Sequence, residues 1–184
     1  MRDTALLAPR LVLGGYLAAH GAQKLFGKFG GYGLDATGGL FDSVGLSPGR
    51  DMARLAGITE MTGGILTATG ALHPLGPVAV AGAMGVAVPF QRGGGPFALD
   101  NGYELPLTNL AIATALAAMG PGRLRLGPKL PRKLAVVSVL GAAAIAGYLA
   151  NKVVNFQPAG ADVDLTETEA ETTEQAATAE LGTA

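Results

Sequence analysis

The chain has 184 residues, 49% of them hydrophobic and only 15% charged, with 29 glycines and a mean hydropathy of +0.37, which is too apolar and too glycine-rich for an average soluble domain. No cysteine and only two histidines, His20 and His73, are present, which excludes disulfides, a thiolate nucleophile, iron–sulfur ligation and a conventional zinc or paired-histidine haem site. The formal charge of −1 hides a split, because Asp162, Asp164, Glu167, Glu169, Glu171, Glu174 and Glu180 crowd the last residues and leave 13 basic against seven acidic residues, a net +6, before them.

Five apolar segments are predicted to cross a bilayer as helices. The first runs from Thr4 to Ala22 and carries Arg10 inside it; at about 1.5 Å per residue it just spans a hydrocarbon core of roughly 30 Å. A cleaved signal peptide is the rival reading, but Arg10 interrupts the apolar run and further spans follow, so the segment reads as a retained helix. The stretch HGAQKLFGKFGGYG, from His20 to Gly33, then opens a polar, glycine-rich loop.

The second segment, Met52 to Leu72, is apolar apart from Arg54 and Glu60 and ends at His73-Pro74, where proline stops a helix. The third, Leu75 to Phe90, is short, bracketed by prolines, and shows Ala79, Ala83 and Ala87 at four-residue spacing, a smooth face for close packing. The fourth, Leu105 to Met119, opens with Glu104 and Pro106 and closes at Gly120-Pro121-Gly122. The fifth, Leu134 to Ala150, repeats the small-residue spacing with Ala142, Ala146 and Ala150. From Gln157 onward, Thr, Glu and Ala without apolar period predict a disordered acidic tail. The fold expected is all-α and membrane-embedded: a four-helix transmembrane domain over 1–126, a basic loop and fifth transmembrane helix over 127–156, and the tail over 157–184.

Orientation follows from Lys and Arg in short loops. Arg123, Arg125, Lys129, Arg132 and Lys133 form the densest cluster, which places that loop and the N-terminus in the cytoplasm and the tail outside. No basic cluster is interleaved with stacking aromatics, so nucleic acid is not an expected partner. The glycine runs lack the Lys and Ser/Thr placement of a phosphate loop and read as turns.

Six polar residues are candidates for ligand binding or proton relay: Arg10, His20, Lys24, Glu60, Asn101 and Glu104. A carboxylate some eight residues inside a span costs several kcal/mol unless protonated, paired or beside water, roughly as for other intramembrane charges. Arg10 is the natural partner for Glu60, with Lys24 and His20 as alternatives. Helical rotation places Arg10 and Lys24 within about 40° of each other, on one inward face. His20 and Lys24, four apart, share a side of a continuing helix, and Asn101 and Glu104 share one if the fourth helix begins early. Against this stands a plain reading in which Lys24 snorkels, His20 sits at the interface, Glu104 caps its own helix and Glu60 joins a structural ion pair.

Taken together, RLVLGGYLAAHGAQKLFGKFGGYG (Arg10 to Gly33), AGITEMTGGILTATG (Ala56 to Gly70), NGYELPLTNLAI (Asn101 to Ile112) and GPGR (Gly120 to Arg123) resemble the DoxX family of small bacterial and archaeal membrane proteins. The resemblance implies a four-helix membrane unit in the bacterial inner membrane, and a subunit of an oxidoreductase assembly that binds a quinone or a small sulfur oxyanion while a partner protein supplies the redox centre. No covalent or metal cofactor is expected, and a homo-oligomer is compatible with it. The alternative is a non-catalytic membrane scaffold or small-molecule carrier. This chain departs from the family in its fifth segment, its tail, and Gln91-Arg92 where many relatives have a histidine-containing loop.

Overall fold

The computed structural model describes residues 2–157, which form six α-helices and no strand: α1 (Arg2–Phe26), α2 (Gly33–Asp42), α3 (Gly49–Thr69), α4 (Leu75–Phe90), α5 (Glu104–Met119) and α6 (Arg132–Val154). Single 3₁₀ turns at Arg92–Gly94 and Ala98–Asp100 shape the α4–α5 connection. The expected third segment matches α4 end to end, because proline brackets it, and the fourth differs from α5 by one residue. The acidic tail lies outside the described residues, apart from Gln157.

One helix was not anticipated. Gly33–Asp42 lies in the connection between the first two apolar segments, where only loop was expected, yet its Thr37 and Gly38 are buried against the start of α3. A ten-residue helix is marginal by itself and forms here because tertiary packing holds it. Asp42 secures the following turn by accepting hydrogen bonds from the Ser47 hydroxyl, 2.6 Å, and the Gly49 amide, 2.8 Å.

Glycines make the seam between α1 and α3. A Cβ on Gly14 would lie 2.5 Å from the Gly64 carbonyl oxygen, and one on Gly21 would lie 2.5 Å from the Gly57 carbonyl oxygen and the Met61 nitrogen. Gly14 and Gly21 are seven apart on α1, and Gly57 and Gly64 are seven apart on α3. The two helices therefore run antiparallel at backbone contact, a distance only small residues permit.

Helix α4 is the centre of the bundle, touching α3, α5 and α6. Leu6, Leu13, Leu17, Val80, Met84, Ala113 and Leu116 are buried together where α1, α4 and α5 meet. On its other side Gly82 faces Ala142 and Gly85 faces Ala146, with room for ordinary van der Waals contact. The expected small-residue register of the fifth segment is thus used, and because both positions rise together, α4 and α6 are parallel. The Arg92 guanidinium donates to the Val154 carbonyl, 3.0 Å, and Phe156 lies over Gly45, tying down the far end of α6.

Among the described residues, α6 is the helix long and apolar enough to cross a membrane, with 23 residues and a hydropathy of 1.8 over its most apolar window. Helices α4 and α5 are apolar but have 16 residues each, a rise of about 24 Å.

The seam can be tested with matched substitutions. Gly21→Leu is expected to lower the thermal midpoint and broaden the size-exclusion peak in detergent, since overpacking costs roughly 1–3 kcal/mol. Gly15→Leu, where a Cβ meets nothing within 4 Å, is expected to leave both unchanged.

Candidate functional site

Helix α6 rests on α4 and leaves a gap to α3, and this gap is a cavity of about 490 Å³. Its walls are apolar: Leu55 and Ala56 from α3, Ala79, Ala83 and Val86 from α4, and Ala142, Ile145 and Ala146 from α6. Phe41 of α2 and Phe90 of α4 meet edge to face at one end, with ring centroids 5.6 Å apart. Polar atoms come from Thr59, Gln91, Ser138 and one ion pair, Lys24 with Glu60. That size and composition are those of a small-molecule site, typically 300–1,000 Å³ and apolar with a few polar groups.

The Lys24 ammonium donates to Glu60 Oε2 at 2.6 Å, with side-chain exposures of 24% and 7%. Arg10, the expected partner, is not the one used. Two features of helix geometry decide this. Glu60 adjoins Met61, which abuts Gly21, so it stands three residues from Lys24 along α1 and eleven, about 16 Å, from Arg10. In addition, side chains lean toward the N-terminus of their own helix. In this antiparallel pair Lys24 and Glu60 lean toward each other, whereas Arg10 leans away.

Arg10 is 3% exposed and binds backbone carbonyls only. Its Nε donates to Thr67, 3.0 Å, its Nη2 to Ala68, 2.8 Å, and its Nη1 to Leu124, 2.8 Å, and to Pro121. Thr67 and Ala68 lie in the last turn of α3, where carbonyls lack intrahelical donors and a cation suits the helix dipole. Pro121 and Leu124 lie in the loop after α5. The guanidinium thus bolts α1, α3 and that loop together at the opposite end from Lys24. Both cations do lie on one inward face of α1, as rotation predicts.

The other three candidates stay outside the cavity. His20 is exposed on α1. Asn101 is exposed and takes a left-handed conformation, φ 57°, ahead of α5 rather than within it. Glu104 is exposed, and its Oε2 accepts the Ala98 amide at 3.0 Å, closing the loop that precedes its helix. Cavity groups without prior notice are Thr59, Gln91, Ser138 and the two phenylalanines. Thr59 beside Glu60, and Ser138 as the one serine within the fifth apolar segment, were the available signals. No group of three or more His, Cys, Asp or Glu able to hold a metal occurs among the described residues.

His73, given no role from sequence, sits in the α3–α4 turn close to Arg10. Burial lowers its pKa, the Lys129 and Arg10 charges add to the lowering, and a hydrogen bond with the Ala117 backbone opposes it.

Two outcomes follow. Removing one member of the ion pair, as in Lys24→Met, should lower stability by about 3–5 kcal/mol, the usual cost of stranding a buried charge. The double change Lys24→Met with Glu60→Leu should recover most of the loss, as read by thermal melting in detergent. Because the folded His73 holds its proton less tightly than the unfolded chain, stability should be full above the ordinary pKa of 6.5 and fall on acidification through it. In melts at pH 7 and pH 5, His73→Gln should show a smaller loss than the parent.

No curated protein and no solved structure matches the chain. The DoxX family model matches residues 5–92, a stretch that takes in most of α1, the whole of α2 to α4, and with them Arg10 and the Lys24–Glu60 pair.

Proposed function

We propose that the chain is a multi-pass protein of the bacterial inner membrane that binds a quinone in the α3–α4–α6 cavity, as a subunit of an oxidoreductase whose redox centre resides on a partner protein. The membrane reading is supported by the outward faces of the long helices. Leu11, Val12 and Tyr16 on α1, Ile58 and Ile65 on α3, Leu105 and Leu107 on α5, and Val136, Val137 and Leu140 on α6 are all close to half exposed or more, an apolar surface far beyond what a soluble monomer tolerates. In this arrangement α1, α3, α4, α5 and α6 cross, α2 lies at the outer end, and the N-terminus and the 120–131 loop face the cytoplasm. Five crossings carry the tail outside.

The observation that carries the ligand reading is a wall of alkyl groups and two phenylalanines interrupted by a single ion pair. A quinone ring matches this: its faces pack on the apolar wall and one carbonyl oxygen accepts from Lys24, which has donors to spare beyond Glu60. A sulfur oxyanion fits less well, because the Lys24 charge is already balanced by Glu60 and the remaining walls offer no second cation. The carrier reading uses the same cavity for an apolar molecule without redox chemistry.

Equilibrium dialysis of the detergent-solubilised protein against decyl-ubiquinone should give saturable binding, with a Kd of about micromolar order. Ala56→Phe, which fills the cavity, should abolish it. Should the parent hold no more decyl-ubiquinone than Ala56→Phe, the quinone reading fails; should both hold an uncharged hydrocarbon of similar size equally well, the site discriminates nothing.

A further inference from the structure

The end of the bundle remote from the cavity carries a second surface. The loop between α5 and α6 is not slack: the Leu126 amide donates to the Thr69 carbonyl at 2.9 Å, the Leu72 amide to Pro128 at 2.8 Å, and the Leu130 amide to His73 at 3.0 Å, lacing it to the α3–α4 turn. Arg10 draws the Pro121 and Leu124 carbonyls inward from below, and Asp3 accepts the Arg123 amide at 2.8 Å. With the backbone turned inward, the side chains of Arg123, Arg125, Lys129, Arg132 and Lys133 are exposed, and none of them enters an ion pair among the described residues. Leu124, Leu126 and Leu134 are exposed between them, Leu126 at 69%. Five like charges held on a fixed scaffold above a sixth, buried one call for anions from outside, and the interspersed leucines call for those anions to sit at an apolar boundary.

From this we infer that the α5–α6 loop is a preformed platform for anionic phospholipid headgroups, phosphatidylglycerol in particular, on the cytoplasmic leaflet. The Arg guanidinium groups give paired donors to the phosphate oxygens and the lysines add point charge. The leucines enter the acyl boundary beside the glycerol. The proposal rests on the membrane reading above and not on the cavity reading.

The test is native mass spectrometry of the full chain in detergent with added phosphatidylglycerol, phosphatidylcholine or inorganic phosphate, preceded by reconstitution into phosphatidylcholine vesicles. Phosphatidylglycerol should be retained in preference to phosphatidylcholine. Arg125→Gln with Lys129→Gln should weaken its retention by roughly five-fold for each charge removed, and Lys28→Gln with Arg50→Gln at the other end should not. Equal retention of the two lipids, retention unchanged in the loop variant, or full competition by inorganic phosphate at equal concentration would each overturn it. Failure to enter phosphatidylcholine vesicles overturns the membrane reading instead.

Discussion

Two cations on one face of α1 grip α3, one at its last turn and one at its middle, and the rest of the molecule is arranged around that grip. Arg10 satisfies the open carbonyls of the last turn of α3, and fourteen residues on, Lys24 neutralises Glu60. Between them the backbones touch through Gly14, Gly21, Gly57 and Gly64. Neither part works without the other: glycine contact supplies close approach but little register, and buried charges supply register only if the helices are near enough to bury them. Once α1 and α3 are fixed, α4 has a floor to pack on, and α5 and α6 have α4.

The two cations solve the problem of burial differently. Arg10 disperses its charge over four carbonyl dipoles, which leaves it chemically quiet and useful only as a fastener. Lys24 meets a carboxylate, keeps partial access to the cavity, and retains unused donors. The same side-chain class thus ends in a closed carbonyl cage at one end of the helix and at an open cavity wall at the other.

Much of the architecture was legible because punctuation in this sequence is strong. Proline at His73-Pro74 and Gly120-Pro121-Gly122 fix the ends of α3, α4 and α5 to within a few residues, and Ala142 and Ala146 of the small-residue register in α6 make a helix contact, with α4. The site was less legible. Rotation about α1 placed Arg10 and Lys24 on one face correctly, but choosing between them required the offset between α1 and α3 and the tilt of Cβ, and the first of these is a tertiary quantity. The spacing of His20 from Lys24 puts the two on one side of α1, but His20 stays exposed while the Lys24 ammonium is drawn to Glu60. Helix α2 was hidden because its stability lies in what covers it, not in its own residues.

The cavity draws on two parts of the chain with different standing. Its charged corner comes from α1 and α3, within the stretch matched by the family model, whereas one whole wall comes from α6, beyond it. The charged corner and the apolar wall are therefore separable: bulk can be added or removed along Ala142, Ile145 and Ala146 without disturbing Lys24 or Glu60. Without α6 the same corner would open sideways, so the girth of the space beside Lys24 and Glu60 is set by a helix that lies beyond the DoxX match.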